Sequence, residues 1–230
     1  MLYETKAVLL LKRNLNITDS LGIFYTREFG KYEILLKSIK KPTSKLQYKL
    51  RDRSISEIEF ILGKSFARLI YIDNIDLFTD FRLYKNKLIL QSFICEFVNK
   101  ITELHYKDTI LFDEVLKIFD LIRINNEDSL EEIISYIVIR IMYILGFGID
   151  INQCIITGNT KSYNFGINIK YGGLIDLTKN NINNSHKVTL DNIKTIRLWQ
   201  KGEYISNKIP FEIIKNYLYW YDIKINSLKF

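Results

Sequence analysis

The first 78 residues alternate short apolar, β-rich runs with turn chemistry. Leu2 to Lys12, Leu21 to Thr26 and Tyr32 to Ser38 are strand-like. Asn14–Asp19, Glu28-Phe29-Gly30 and Lys40–Ser44 punctuate them with Asn, Gly and Pro. Ser54 to Leu62 and Ala67 to Ile75 add two further runs on either side of Gly63-Lys64-Ser65. Five short strands in so little chain predict a small closed sheet, and the five-stranded OB barrel is the common solution.

Near residue 79 the period changes. Phe81, Tyr84, Leu88, Gln91 and Cys95 fall at helical spacing, and Leu90, Phe93, Ile94, Phe97 and Val98 widen the apolar face. A second helix is predicted over Thr109 to Arg123. A third starts at Ser129, where Ser129-x-x-Glu132 reads as a capping box, and stops at Gly146. Residues 150–178 change again: Tyr163, Phe165, Ile167, Ile169 and Tyr171 alternate with polar residues, the period of a strand. Gly172-Gly173 reads as a hairpin turn in preference to a phosphate cradle. Asn180 to Lys187 is a polar loop. Thr189 to Trp199 and Phe211 to Tyr221 are closing helices, with Pro210 suited to the first turn of the last. The pattern is that of an α+β protein. Residues 1–78 form a barrel domain, and residues 79–230 form a mostly helical domain with a β insertion at about 150–178.

Composition narrows the function classes. The 230 residues carry a net charge of +7 and are 47% hydrophobic, enough apolar matter for a packed core. A basic balance favours polyanionic partners, nucleic acid first and an anionic membrane surface second. Cys95 and Cys154 are the only cysteines, too few for a disulfide framework, and a reducing cytoplasm fits best. Glu4 and Lys6 come too early for a signal peptide. The apolar stretch from Ile133 to Ile149 contains Arg140 and reads as a buried helix, since a span wants roughly 20 apolar residues with few charges. His105 and His186 lie in different segments with no nucleophile motif. No P-loop, dinucleotide fingerprint or HExxH is present. Non-enzymatic function is the expectation.

One segment stands out. Lys31, Lys37, Lys40, Lys41, Lys45, Lys49, Arg51 and Arg53 face only Glu33 and Asp52, eight basic residues against two acidic ones, a net of +6. Such a run can track a phosphate backbone, driven by counterion release. Tyr32 and Tyr48 are interleaved, where a ring can stack on a base. Solvated loop charges and core tyrosines are the alternative. Cys95 lies on an apolar helix face and reads as core.

Glu4-Thr5-Lys6-Ala7-Val8-Leu9, together with the motifs that follow it in order, resembles the RecO family of recombination mediators, this segment matching the family's first strand. Phe24-Tyr25-Thr26-Arg27-Glu28-Phe29-Gly30-Lys31 resembles the join of its second and third strands, and Leu36-Lys37-Ser38-Ile39-Lys40-Lys41-Pro42-Thr43-Ser44 resembles the basic stretch that follows. Leu145-Gly146-Phe147-Gly148-Ile149-Asp150-Ile151-Asn152-Gln153-Cys154, Tyr171-Gly172-Gly173-Leu174-Ile175 and the closing Asn226-Ser227-Leu228-Lys229-Phe230 continue the likeness. The resemblance implies an N-terminal OB fold, then a helical domain with an inserted zinc-ribbon-like element. It also implies binding of single- and double-stranded DNA, strand annealing, work with RecR, contact with the acidic tail of single-strand binding protein (SSB), and loading of RecA. A bacterial, nucleoid-associated location goes with it.

The metal motif departs from that pattern. Relatives carry Cys-x-x-Cys twice. Here Cys154 is kept, Thr157 takes the second position, and Asp176 and Lys179 stand where the second pair would be. A tetrahedral structural site needs four S, N or O ligands, so no zinc and no other cofactor is expected; packing of the alternating strand is expected to hold the element instead. A partner tail needs an apolar groove rimmed by basic residues. Arg123, Arg140, Lys194 and Arg197 on the later helices are the candidates. The rival readings are a protein-interaction module without DNA binding and a peripheral membrane protein.

Overall fold

A computed structural model describes every residue except 64–65, 126–128, 163, 179–181 and 228–230. Lys64 and Ser65 of the predicted turn, Tyr163 at the head of the alternating strand, Lys179 of the metal motif and Leu228-Lys229-Phe230 of the closing motif therefore lie outside the described residues.

The strands are β1 (Leu2–Asn14), β2 (Ser20–Thr26), β3 (Gly30–Leu36), β4 (Ile55–Ile61) and β5 (Ala67–Asp76). They form a ring in the order β1-β2-β3-β5-β4, the OB arrangement expected from the sequence. Four of the pairings are antiparallel, and a short parallel seam of Ile34 to Ala67 and Leu35 to Arg68 completes the ring. β1 is long because it serves two neighbours: Leu2 to Val8 pair with β4 and Ala7 to Asn14 with β2, and a bulge between Leu9 and Leu11 turns the strand from one to the other. Phe60 sits at the centre of the barrel core. Tyr3 stacks on it at 5.4 Å, Phe29 meets it edge-on at 5.7 Å and Tyr32 lies at 5.4 Å. Such aromatic pairs add about 0.5–1.5 kcal/mol each beyond burial.

The sequence division at residue 78 marks where strands give way to helices, but the compact unit extends further. It comprises Met1–Arg123 with Ile225–Phe230, and Ile124–Lys224 form a second unit. In the first, the barrel is joined by the short α1 (Lys45–Lys49), by a 3₁₀ turn over Thr79–Leu83, by α2 (Lys85–Ile101) and by α3 (Thr109–Ile124). α3 is held by contacts made far apart in sequence. Tyr25 packs on Phe112 at 5.7 Å, Phe78 stacks on Phe119 at 4.7 Å, and the Arg27 guanidinium grips both carboxylate oxygens of Asp113 at 2.9 Å. Cys95 is a buried core residue of α2, and burial pushes its thiol up to about 12.

The second unit contains α4 (Leu130–Ile144), β6 (Asp150–Cys154), β7 (Phe165–Asn168), β8 (Gly173–Asp176), β9 (His186–Val188), α5 (Leu190–Lys201) and α6 (Phe211–Trp220). Ser129 caps α4 by accepting from the Glu132 N–H, one half of the capping box its spacing predicts, while the Glu132 carboxylate accepts from the Tyr204 hydroxyl at 3.3 Å; Gly146 follows the helix with φ +85°. α4 is buried along most of its length and is too short to span a bilayer; among the described residues no helix is long and apolar enough to cross one. The alternating stretch expected from residue 163 to 171 is shorter as a strand, because the chain turns at Ile169–Gly172 into the β7–β8 hairpin. The insertion is a four-stranded sheet in the order β6-β8-β7-β9.

Gly30 opens β3 at φ +71°, and a Cβ there would lie 2.1 Å from the Tyr106 carbonyl oxygen. Backbone cannot yield as a side chain can. Gly30→Ala is expected to cost about 2 kcal/mol or more, from the left-handed strain and the collision together, read as a lowered urea midpoint with an unchanged m-value.

Candidate nucleic-acid interface

Seven of the eight basic candidates fall in one connection, between the end of β3 at Leu36 and the start of β4 at Ile55. The connection alternates anchors with charges. Ile39 and Leu50 are each 4% exposed within the barrel's apolar cluster, and Leu46 packs against it. Around these anchors Lys37, Lys41, Lys45 and Arg51 are exposed, Lys41 and Lys45 between Ile39 and Leu46, and Lys37 and Arg51 just outside Ile39 and Leu50. Their side chains make no hydrogen bond or ion pair among the described residues. The backbone is pinned as well. Ser38, at φ +55°, donates its N–H to Asp19 at 2.6 Å, and Lys40 donates its N–H to the Thr18 carbonyl at 3.1 Å. Hydrogen bonds from the Asn16 amide and the Ser38 N–H hold the Asp19 carboxyl below its usual range. The Asn74 amide donates to the Lys49 carbonyl at 2.7 Å, fixing the end of α1 to β5. The result is a row of cations on a rigid support.

Three candidates are partly engaged. Lys40 Nζ donates to the Asn16 carbonyl at 2.6 Å, Lys49 Nζ lies 3.2 Å from Asp73, and Arg53 is half-buried. Lys31 differs from all of them. It is buried on β3, and its ammonium donates to the Asn99 carbonyl at 2.7 Å and to the Thr102 carbonyl. These are unpaired carbonyls at the C-terminal end of α2, where a cation is favoured. Burial pushes the Lys31 ammonium below its usual value. Its charge is spent inside the molecule, and the sequence pattern, which places it in the basic run, gives no sign of that.

The aromatic candidates divide in the same way. Tyr32 lies against His105 at 4.1 Å and against Phe60, so its ring belongs to the core. Tyr48 is 71% exposed on α1. Tyr71, which the sequence pattern missed, is 43% exposed on β5 with Lys49 Nζ 5.0 Å from its ring centre. A register shift lets Glu59 pair with Tyr71 and Phe60 with Leu69, so Ile70 is an extra residue and Tyr71 keeps the outward side. A bulge is not visible in a period-2 reading.

The partner-rim candidates are occupied. Arg123 ends the first unit bound to Asp76, with Asp80 at 3.4 Å and Asp120 at 3.9 Å; the hydrogen bond to Asp76 raises its pKa most. Arg140, Lys194 and Arg197 belong to the second unit. Arg140 donates to the Gln200 carbonyl, Lys194 pairs with Asp191 at 3.4 Å, and Arg197 donates to the Ile151 carbonyl at 3.3 Å. A groove with apolar and basic lining does exist in the first unit. It has a volume of about 610 Å³, and its lining includes Leu11, Leu88 and Ile89 together with the basic Arg53, Lys85 and Lys100 and the acidic Glu96. At its end the Glu96 carboxylate accepts the backbone N–H groups of Asn226 and Ser227 at 2.6 and 2.9 Å. Lys85 and Lys100 sit fifteen residues apart at the two ends of α2, so no local charge run announces the groove. Among the described residues no group of three or more His, Cys, Asp or Glu side chains is arranged to hold a metal ion.

Residues 86–211 match the family model described as the C-terminal region of recombination protein O. The chain belongs to the RecO family. Curated relatives are similar at low identity. DNA repair protein RecO of Thermoanaerobacter sp. (strain X514) is 26% identical over 215 residues, covering 88% of this chain and 82% of the relative. Those of Alkaliphilus metalliredigens and Clostridium novyi are each 25% identical, covering 76% of this chain and 71% and 68% of theirs. RecO membership assigns the chain a role in recombination and DNA repair. The barrel residues that carry the basic connection lie outside the matched 86–211.

Lys31→Met is expected to lower unfolding stability by about 1 kcal/mol or more, because it leaves two part-buried carbonyls at the end of α2 without their donor. Lys41→Ala, on the exposed connection, should stay within about 0.5 kcal/mol of the parent. Urea unfolding of the two variants side by side checks the distinction.

Proposed function

We propose that the β3–β4 connection is the DNA-binding surface of a recombination mediator. The observation that carries this reading is the display of Lys37, Lys41, Lys45 and Arg51 without ion pairs, around apolar anchors that fix them on the barrel. Lys40, Lys49 and Arg53 extend the row. Two complementary strands repel through their phosphates, and a row of cations neutralises that repulsion while leaving bases free to pair. No bond is made or broken, so neither a catalytic group nor a cofactor is required. Phosphate contacts carry no sequence information, which suits a protein that must act on any broken DNA, single- or double-stranded. Annealing of complementary strands, loading of RecA onto SSB-coated DNA together with RecR, and action in the cytoplasm at the nucleoid complete the proposal.

Fluorescence polarisation with a labelled single-stranded oligonucleotide tests it. If about five phosphates are neutralised, log K falls with log salt at a slope near −3.5. Lys40→Glu/Lys41→Glu should weaken binding alike for unrelated sequences and make the slope shallower. Indifference to salt and heparin would instead favour an interaction module without DNA binding.

The groove between β1 and α2 suits the acidic, apolar-ended tail of SSB. Leucine and isoleucine side chains in its lining offer the tail apolar contact, and Lys85 and Lys100 offer it cations. Lys85→Glu/Lys100→Glu is expected to abolish capture of an SSB tail peptide while leaving affinity for bare single-stranded DNA within about twofold. Loss of both together would place the peptide on the DNA surface.

A further inference from the structure

The residues of the β insertion do not fit a structural zinc. Cys154 is buried and supplies one sulfur, but Thr157 offers only a hydroxyl. The Asp176 carboxylate already accepts four hydrogen bonds: from Ser162 Oγ at 2.7 Å, Thr178 Oγ1 at 2.6 Å, the Thr178 N–H at 3.1 Å and Asn159 Nδ2 at 3.0 Å. Three of these bonds converge on Oδ1 and the Asn159 amide takes Oδ2, so one sulfur and one carboxylate already engaged by four donors fall well short of a tetrahedral ligand set. The Cys154 sulfur is taken as well. It accepts the Asp176 N–H at 3.2 Å. Burial pushes the thiol up, but hydrogen bonds from the Thr157 hydroxyl and from the N–H groups of Thr157, Asp176 and Ile156 outweigh it and leave the thiol below its usual value.

We infer that the Asp176 side chain replaces the metal as the cross-link of this element. A structural ion ties separate turns of a small sheet to one point. Here the Asp176 carboxylate, at the end of β8, accepts from Asn159 and Ser162 in the β6–β7 connection and from Thr178 after β8, while the Asp176 backbone N–H donates to the Cys154 sulfur at the end of β6. Each donor to the carboxylate meets an ionised acceptor, the stronger class of hydrogen bond. β7 and β8 are four residues each and β9 is three, so the ladders are short and a side-chain tie adds to them. The hub acts beside the packing expected from sequence, in which Phe165, Ile167, Leu174 and Ile175 are buried. Asparagine is not equivalent at this position. It removes the charge, and its NH₂ must face either the Asn159 amide or the Ser162 and Thr178 donors.

The test uses the full-length protein purified from zinc-supplemented cells. Mass-spectrometric metal analysis accompanies thermal unfolding with and without EDTA and phenanthroline. The expected results are no stoichiometric zinc and a melting temperature unmoved by chelator. Asp176→Asn should melt about 5 °C lower or more, Ser162→Ala and Thr178→Val should each show a smaller fall, and their effects should shrink on the Asp176→Asn background. If Asp176→Asn does not fold, the single-donor variants decide, and unchanged melting in both overturns the inference. One zinc per chain with a chelator-induced fall in melting temperature also overturns it, as does an Asp176→Asn protein that melts like the parent.

Discussion

The last carbonyls of a helix have no partner within it, and a buried helix end must find donors elsewhere. In this chain the donors are long basic side chains. Lys31 reaches from β3 to the Asn99 and Thr102 carbonyls of α2. Lys87, buried on α2, reaches the Arg123 carbonyl of α3. In the second unit Arg140 of α4 reaches the Gln200 carbonyl of α5. Each contact places a cation at the negative end of a helix, satisfies an acceptor that burial would otherwise leave unpaired, and ties one element to the next. The arrangement of α2 against the barrel depends on the first of them, because His105 also donates its N–H to the Lys31 carbonyl at 2.9 Å. One residue thus holds the end of α2 with its side chain and the chain beyond it with its backbone.

This use of basic residues changes what a charge count means. A net of +6 between residues 31 and 53 treats all eight cations alike, whereas the structure separates them by surroundings. A cation facing two carbonyls in the interior contributes to folding and is unavailable to a phosphate. A cation facing water beside the buried anchors, such as Lys41 or Lys45, is available and contributes little to folding. The same separation applies to Arg123, Arg140, Lys194 and Arg197, whose partners lie within their own units.

The strands and helices were legible because each buries one face, and burial writes a period into the chain. All five barrel strands appear where their apolar runs lie, and the cap at Ser129 appears because the polar atom that begins a helix is a near neighbour in sequence. What could not be read depends on residues brought together by folding. The outward turn of Tyr71 follows from a bulge, the burial of Lys31 from the arrival of α2, and the groove from two lysines at opposite ends of one helix. The division into units was illegible for the same reason. Arg27–Asp113 and Phe78–Phe119 join residues far apart in the chain, and they draw α3 to the barrel.

The β insertion shows how a lost ligand set need not mean a lost element. A metal site is all or none: with one sulfur left, the coordination energy is gone. A hydrogen-bonded hub accumulates donor by donor, and each of Ser162, Thr178 and Asn159 adds its own increment to Asp176. It also tolerates a thiol in place of a thiolate, since the Cys154 sulfur needs only to accept an N–H. Polar residues that look unremarkable in the sequence, an asparagine, a serine and a threonine in loops, thereby tie the β6–β7 connection and the chain after β8 to the end of β8. Their importance lies in convergence on a single carboxylate, which spacing along the chain does not encode.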